Sequence, residues 1–187
     1  MGYFDSEKTV EEYIEMVEGY DGAELINALK GYLPKGSTLL ELGMGPGKDL
    51  DMLKKSYVVT GSDSSQIFVD RYKKAHKGTD VTLLDAVTIN TEEKFDCIYS
   101  NKVLHHLKQN DLSKSIHRQK AVLNDGGILF HSFWHGDKEE KHHGLLFIYY
   151  LEDQMAELVK DDFEIVGIKR YAEMAADDSF YIVLKAR

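Results

Sequence analysis

The chain has 187 residues, a hydrophobic fraction of 43%, a charged fraction of 29% and a formal net charge of −9. This length can bury the core of one domain, and these fractions are ordinary for a globular protein. The acidic charge, without any basic run, argues against a nucleic-acid partner. No apolar run reaches the roughly 20 residues of a membrane span, and the acidic start predicts no signal peptide. The single cysteine, Cys97, permits no internal disulfide, so we expect a cytoplasmic protein.

The periodicity of apolar residues predicts helices that alternate with strands. Residues 1–33 show the three- and four-residue spacing of a helical lead, which is broken near Gly22. The predicted strands are 38–42, 57–63, 81–85, 95–100, 128–133, 163–171 and 179–186, with later helices at 47–55, 64–78, 111–123 and 151–160. Strands that alternate with helices form parallel sheets with right-handed crossovers. No helix separates the last two strands, so we expect them to form an antiparallel pair at one edge of the sheet.

Three glycines at alternate positions join the first strand to the next helix. They are Gly43, Gly45 and Gly47, and Glu41 precedes them at the end of the strand. Glycine adopts positive φ at little cost and lets backbone approach a ligand closely, while the following helix directs free N–H groups and its positive dipole end at the turn. A dinucleotide fingerprint would need a further glycine at position 48, which is Lys48. A tight turn that binds nothing is the alternative at this stage.

Two more carboxylates follow the second and third strands. Asp63 lies twenty residues beyond Gly43, and Asp85 ends the third strand. A carboxylate at the position of Asp63 can accept hydrogen bonds from both hydroxyls of a ribose. The same arrangement serves NAD enzymes, and an acidic helix cap is a further alternative.

The fourth strand continues into a longer motif. Residues 95–106 match the pattern F-D-x-I-x-S-x-x-x-L-H-H. Together with Glu41 two residues before the first glycine, and with acids after three successive strands, this segment resembles class I S-adenosylmethionine (SAM)-dependent methyltransferases that act on small molecules. The resemblance covers residues 39–187. It implies a doubly wound, mostly parallel α/β sheet of seven strands with an antiparallel C-terminal hairpin, helices on both faces and an N-terminal helical lead.

The resemblance also implies SAM as the cofactor and S-adenosylhomocysteine (SAH) as the product. It places Asp85 against the adenine amine and the backbone N–H of Ala86 against a ring nitrogen. The cofactor contacts that it implies are Glu41, Gly43, Met44, Gly45, Gly47, Asp63, Ser64, Asp85, Ala86, Ser100 and Asn101. We expect one methyltransferase domain over 1–187, with 34–187 as its core and 1–33 as a candidate lid. Tyr13 and Tyr20 are the candidate lid residues, and ordinary helix packing is the alternative for both.

Methyl transfer from a sulfonium is an in-line displacement, which proximity and alignment can accelerate strongly. A general base is needed only when the acceptor must lose a proton early. His105 is the candidate base, because it lies next to the expected methyl position and histidine titrates near neutral pH. A structural role for His105 and its neighbour His106 is the alternative. The motif lacks the N-P-P-Y sequence that orients an amino group in nucleic-acid N-methyltransferases.

The loop after the fifth strand is expected to help wall the acceptor site. The predicted substrate-pocket residues are His106, Trp134, His135 and Tyr150, whose rings suit a small or flat acceptor. The histidines of this loop, which include His142 and His143, lack the spacing of a zinc motif, so we expect no metal.

Three other functions remain open at this stage. An NAD(P)-dependent oxidoreductase is disfavoured by the missing glycine and by the terminal hairpin. A SAM-binding sensor or accessory subunit without turnover would carry the same cofactor motifs. A protein or RNA acceptor is disfavoured by the acidic charge, and we expect a small-molecule acceptor.

Overall fold

The computed structural model describes residues 3–142 and 144–187. His143, and the first two residues of the predicted helical lead, lie outside this part of the chain. The strands within it are β1 Thr38–Leu42, β2 Val58–Asp63, β3 Val81–Leu83, β4 Phe95–Asn101, β5 Leu123–Trp134, β6 Glu139–His142, β7 Leu145–Ile148, β8 Phe163–Tyr171 and β9 Ser179–Ala186. The α-helices within it are α1 Glu7–Met16, α2 Ala23–Leu29, α3 Lys48–Leu53, α4 Gln66–Ala75, α5 Gln109–Ala121 and α6 Glu152–Val159.

Seven of the described strands form one sheet in the order β3-β2-β1-β4-β5-β9-β8. Strands β1 to β5 pair in parallel. Strand β9 runs antiparallel to both of its neighbours, β5 and β8. The loop between β8 and β9 is too short for a crossover, so the chain can only turn back on itself. The predicted fold class is therefore confirmed, including the insertion of the last strand beside the fifth.

Each face of the sheet carries an apolar core, because successive side chains of a strand point to opposite faces. On one face, Leu39 of β1 and Phe130 of β5 belong to a buried cluster that includes residues of α2, α3 and α4. On the other face, Leu40 and Leu129 belong to a cluster that includes residues of α5 and α6. The loops at the carboxyl ends of the parallel strands lie between these helical layers, at the edge where doubly wound folds bind ligands.

Two local predictions were wrong. Residues 124–127 were expected to end the helix, but β5 already begins at Leu123, which pairs with Phe95 before a shift of register. The Asn124 side chain donates to Asp96 over 2.8 Å, so this polar segment is held along β4. The loop after β5 was expected to be irregular, but it contains the antiparallel hairpin of β6 and β7.

The helical lead docks against the segments that follow β1 and β2. The backbone N–H of Gly22 donates to Asp49 at the start of α3 over 2.7 Å. The Lys48 ammonium donates to the carbonyl of Val17 over 2.7 Å, and the Ser65 hydroxyl donates to the carbonyl of Phe4 over 2.9 Å. The lead therefore lies beside the glycine turn. No helix in the part of the chain that the structure describes is long and apolar enough to cross a membrane.

Candidate cofactor and acceptor site

The glycine turn leads from β1 to α3, and each of its glycines has positive φ. A Cβ atom at Gly43 would lie 2.5 Å from a methyl carbon of Val103, and one at Gly47 would lie 2.3 Å from the ring of Tyr72. Those two positions need glycine for packing. At Gly45 the nearest atom to a built Cβ is a ring carbon of Tyr13, at 3.8 Å. Gly45 is therefore the position where the backbone lies bare beneath Tyr13.

Asp63 lies directly beneath this turn and is 7% exposed. Its two carboxylate oxygens accept hydrogen bonds from the backbone N–H groups of Gly45, over 2.9 Å, and Ser65, over 2.8 Å. Burial raises the pKa of Asp63, and these backbone hydrogen bonds oppose the rise. A carboxylate has about four acceptor positions, so Asp63 keeps acceptor capacity for a ligand hydroxyl. Asp63 thus joins the glycine turn to the start of α4, while the neighbouring Ser64 is exposed.

Glu41 and Asp49 add two more buried carboxyl groups to that of Asp63. Glu41 is 3% exposed, and its Oε2 atom has no hydrogen-bond partner among the described residues. Burial and the charges of Asp49 and Asp63 raise the pKa of Glu41 well above its usual value. Asp49 accepts from the Tyr99 hydroxyl over 2.8 Å and from the Asn101 amide over 3.1 Å. This role of Asp49 could not be predicted from the sequence, because an acid in the first turn of a helix is ordinary.

The predicted adenine turn follows β3. One carboxylate oxygen of Asp85 accepts from the N–H groups of Val87 and Thr88, both over 2.9 Å, while the residue itself is exposed. The carbonyl of Ala86 accepts from the Ser115 hydroxyl over 2.6 Å. The turn is therefore held by its own aspartate and by α5.

Two predicted cofactor contacts have side chains that point elsewhere. Met44 is 4% exposed and belongs to the apolar core on the α3 face. Ser100 has no exposed surface, and its hydroxyl lies 2.9 Å from Nδ1 of His131. Neither side chain is available to a ligand. Asn101 does reach the site, because its amide contacts Asp49 and its Oδ1 accepts from Ser132 over 2.7 Å.

His105 is 1% exposed, and neither of its ring nitrogens has a partner among the described residues. Its ring centroid lies 3.9 Å from that of His106, 5.1 Å from Phe147 and 6.5 Å from Trp134. Burial lowers the pKa of His105 well below its usual value, and the nearby Lys102 and His106 add to this effect. The imidazole is therefore neutral, and it is a weak base.

His106 is anchored to the hairpin of β6 and β7. Its Nδ1 atom contacts the carbonyl of Leu146, which can only accept, so this nitrogen carries the proton. In the neutral ring, Nε2 is then left as an acceptor. Burial lowers the pKa of His106 as well. The hairpin that the sequence analysis missed thus fixes the tautomer of one predicted pocket residue.

Lys102 is a partly buried cation at this site, and no pattern in the sequence indicates it. Its ammonium donates to the carbonyl of Phe133 over 3.0 Å and to the hydroxyl of Ser179 over 2.6 Å. It lies 3.8 Å from the ring centroid of Trp134 and 3.7 Å from a carboxylate oxygen of Glu173. Burial lowers the pKa of Lys102 to about 8. A lysine in a loop after a strand usually indicates solvent exposure, so no pattern could have predicted this.

The predicted substrate-pocket residues divide into two groups. His106 and Trp134 lie around His105. His135 lies 3.3 Å from a carboxylate oxygen of Glu152. Tyr150 packs on Phe133 in the apolar core on the face of α5 and α6. Tyr150 also lines a groove between the start of α5, the β6–β7 hairpin and α6. Only the first pair is therefore placed beside the candidate base.

These residues fit SAM as a cofactor. The backbone is bare at Gly45, a buried oxygen of Glu41 lacks a partner, and Asp63 keeps acceptor capacity beneath the turn. The chemistry of this set suits a ligand with ribose hydroxyls and an ammonium group. Within residues 3–142 and 144–187, no group of three histidine, cysteine or acidic side chains is placed to hold a metal ion.

The sequence is similar to those of curated proteins, among them a methyltransferase, over part of its length. The chain is 33% identical over 110 residues to a tRNA (carboxymethyluridine(34)-5-O)-methyltransferase of Arabidopsis thaliana. The aligned region covers 58% of this chain and 26% of that protein. The chain spans less than a third of the length of the curated relatives it matches.

Solved structures share the fold at low sequence identity. The 1,6-didemethyltoxoflavin-N1-methyltransferase of Burkholderia thailandensis, solved with SAH, aligns with a TM-score of 0.81 and 17% identity over 96% of this chain and 84% of that one. The N-methyltransferase NodS of Bradyrhizobium japonicum, also solved with SAH, aligns with a TM-score of 0.70 and 15% identity over 95% and 98%. The model of the methyltransferase domain family matches residues 13–161. The chain therefore belongs to the methyltransferase domain family and has the fold of its class I SAM-dependent members.

Proposed function

We propose that this chain transfers a methyl group from SAM to a small-molecule acceptor by in-line displacement. The observation that carries the proposal is the bare backbone at Gly45, whose N–H donates to the buried Asp63, together with the unpartnered oxygen of Glu41 near Asp63 and Asp49. The bound cofactor supplies an activated methyl group on a sulfonium whose leaving group is neutral. The protein has to bind and align the two reactants, which is the task that a rigid turn and a closed site perform.

Each carboxylate has a distinct role in this proposal. Asp63 accepts from the ribose hydroxyls while its bonds to Gly45 and Ser65 keep it in place. The unpartnered oxygen of Glu41 and the nearby charge of Asp49 receive the ammonium of the methionine portion. The turn at Asp85 and Ala86 receives the adenine.

We propose that His105 acts on the acceptor through hydrogen bonding, with proton removal as a secondary role. Its lowered pKa makes the ring a poor base, but two unpartnered nitrogens in an apolar site are strong hydrogen-bonding groups. This arrangement suits an acceptor whose nucleophilic atom needs no early deprotonation, such as an amine lone pair or a carboxylate. His106, whose Nε2 is left as an acceptor because Nδ1 donates to the carbonyl of Leu146, is the second candidate for a proton-accepting role.

We further propose that residues 34–187 form the catalytic core and that 1–33 act as its lid, in one domain and in the cytoplasm. The contact that supports the lid is the ring of Tyr13 over Gly45. Burial, together with the charges of Asp63 and Asp49, raises the pKa of Tyr13 to about 12, which agrees with a hydroxyl close to both carboxylates.

An RNA acceptor is the second candidate. The curated relative from Arabidopsis thaliana, 33% identical over 110 residues, is named as a tRNA methyltransferase. The net charge of −9 favours the small-molecule acceptor, because RNA binding depends on basic surfaces. Incubation with SAM carrying a labelled methyl group, and either bulk tRNA or a small-molecule panel, distinguishes the two. Label in tRNA would replace the small-molecule proposal.

Cofactor binding is tested by calorimetric titration of the protein with SAM, SAH and NADH in parallel. We expect binding of the two adenosyl ligands and none of NADH. We also expect Asp63→Ala to weaken SAH binding by about 10- to 100-fold, because it removes hydrogen bonds to a charged group. Asp70→Ala, on the exposed side of α4, makes the same change of charge and should bind normally. Binding of NADH alone, or normal affinity of Asp63→Ala, would contradict the assignment.

A further inference from the structure

Four polar side chains with no exposed surface form a chain of hydrogen bonds through the core of the α5 face. They are Ser100 on β4, His131 on β5, and Ser115 and Gln119 on α5. The Ser100 hydroxyl lies 2.9 Å from Nδ1 of His131, and Nε2 of His131 lies 2.7 Å from Oε1 of Gln119. The Gln119 amide lies 3.0 Å from the Ser115 hydroxyl, which donates to the carbonyl of Ala86 over 2.6 Å.

The direction of every hydrogen bond in this network follows from its final acceptor, the carbonyl of Ala86. The Ala86 carbonyl can only accept, so the Ser115 hydroxyl donates to it and accepts from the Gln119 amide. The Gln119 oxygen then accepts from Nε2–H of His131, and Nδ1 of His131 accepts from Ser100. Burial lowers the pKa of His131 to about 3, so the ring stays neutral and keeps this tautomer. All the donors therefore point toward Ala86, and such aligned bonds polarise one another.

The turn at the end of this hydrogen-bond chain is held from within by Asp85, which accepts from the N–H groups of Val87 and Thr88, and from outside by α5. Residues 86–94 contain no strand, and their backbone carbonyls need partners. Arg118, three residues after Ser115 on α5, donates to the carbonyls of Thr88, Ile89 and Thr91. One face of α5 therefore holds the turn from Ala86 onward, and Ser115 provides the contact closest to Asp85.

A fully apolar core would fill this space without the cost of burying four polar groups, which must each be satisfied. Buried polar chains that are fully satisfied define one geometry more sharply than apolar packing does. This hydrogen-bond network therefore fixes the position of the Ala86 backbone relative to β4 and β5.

We propose that the side chains of Ser100, His131, Gln119 and Ser115 are positioning residues that hold the turn at Asp85 and Ala86 where it receives the adenine of SAM. The inference rests on the proposed function, since it needs adenine at this turn. It also gives Ser100 an indirect role in place of the direct contact expected from the sequence.

The test uses Ser115→Ala, which removes the last link, and Gln119→Met, which keeps the length of the side chain and removes the middle links. Ile116→Val, a buried change on the same helix that faces apolar neighbours, is the matched control. Two quantities are measured on the full chain: amide hydrogen exchange at residues 85–89 without ligand, and the dissociation constant of SAH by calorimetry. Two variants are used because either one alone can fail to fold.

We expect faster exchange at residues 85–89 and about tenfold weaker SAH binding in both network variants, and neither change in Ile116→Val. Unchanged exchange would show that the hydrogen-bond chain does not hold the turn. Faster exchange with unchanged SAH affinity would show that adenine does not depend on the turn. If the wild-type protein binds no SAH, the proposed function itself fails, whereas the exchange result still decides whether the network holds the turn.

Discussion

Gly45 differs from the other two glycines of its turn, because a Cβ there would not clash with the protein and, under the proposed function, would enter the space of the ligand. The φ of 51° and a free distance of 3.8 Å to Tyr13 allow Gly45→Val at the cost of local strain. We expect this variant to remain folded and to lose SAH binding by about 100-fold or more, because the added methyl groups occupy the space of the cofactor. Thermal unfolding and calorimetry measure both effects.

The matched control for this change is Gly78→Val. Gly78 also has positive φ, 75°, and no atom lies within 4 Å of its built Cβ, but it lies between α4 and β3. We expect similar destabilisation and unchanged affinity for SAH. Equal affinity of Gly45→Val and Gly78→Val would mean that the glycine turn does not carry the cofactor.

The lowered pKa of Lys102 predicts how the free energy of unfolding changes at alkaline pH. Its pKa in the fold is about 8, while an unfolded lysine titrates near 10.4. Between about pH 8 and 10 the unfolded chain therefore binds more protons than the folded one, so this residue makes the free energy of unfolding rise with pH. We expect a contribution of about 1–2 kcal/mol across that window. Urea unfolding of the wild type and Lys102→Met at pH 7.5 and 9.5 measures it.

The relevant quantity is the change in stability with pH, because Lys102→Met also leaves the carbonyl of Phe133 and the hydroxyl of Ser179 without their donor. We expect a smaller gain from pH 7.5 to 9.5 in this variant than in the wild type. Lys30→Met, at an exposed position, should keep the wild-type gain. An identical gain in all three proteins would place Lys102 in solvent.

At the scale of elements, the helical lead is joined to the core by aromatic contacts. Tyr13 packs edge-on against Phe4 and Phe68, with ring centroids 5.1 and 6.0 Å apart. We expect Tyr13→Ala to raise the dissociation rate of SAH by about tenfold, because it opens the cover over Gly45. Tyr13→Phe keeps the ring and should dissociate like the wild type. Stopped-flow displacement measures both rates, and a wild-type rate in Tyr13→Ala would remove the lead from the cofactor site.

The elements that could be predicted are those whose pattern agrees with their environment. Strands β1, β8 and β9 have the predicted ends, because alternating or continuous apolar residues reflect burial directly. The β6 strand could not be predicted, because Glu139–His142 is polar throughout and exposes most of its residues. Its pairing depends on tertiary contacts, such as that of His106 with Leu146. The start of β5 was missed because Asn124–Gly127 has the composition of a turn.

In the candidate site, too, only the residues whose position follows from the sheet topology could be predicted from the sequence. Glu41 and Asp63 were predicted because they end strands at one edge of the sheet, where topology alone brings them together. Asp49 and Lys102 were missed, because their roles depend on where a side chain points after folding. Ser100 was predicted as a cofactor contact, but its hydroxyl faces His131 in the core.

At the scale of the whole molecule, each face of the sheet supports a different part of the candidate site. The face of α2, α3 and α4 carries the glycine turn and the carboxylates around Asp49. The face of α5 and α6 carries the polar chain through His131 that ends at Ala86. The turn at Asp85 and Ala86 is therefore supported from within the core on the face of α5 and α6. A change in the charge of that core should affect global stability and the turn together.

This coupling gives a prediction for acid stability. His131 stays neutral in the fold down to about pH 3, while an unfolded histidine takes up a proton near pH 6.5. Below pH 6.5 the unfolded chain therefore binds the extra proton, and the free energy of unfolding falls as the pH falls. At pH 5 the loss from His131 amounts to about 2 kcal/mol. The groups that hold its ring, Ser100 and Gln119, carry no charge that could offset this.

Urea unfolding at pH 7.5 and 5.0 measures that loss in the wild type, His131→Gln and His117→Gln. We expect His131→Gln to be less stable at pH 7.5 but to lose about 2 kcal/mol less on acidification, since glutamine has no proton to take up. His117, whose side chain is 79% exposed, provides the control and should follow the wild type. Because the ring of His131 is held by the uncharged Ser100 and Gln119, the difference between the wild type and His131→Gln isolates the imidazole. Parallel losses in all three would mean that His131 becomes protonated within the fold, which would break the hydrogen-bond chain to Ala86 that the neutral ring maintains.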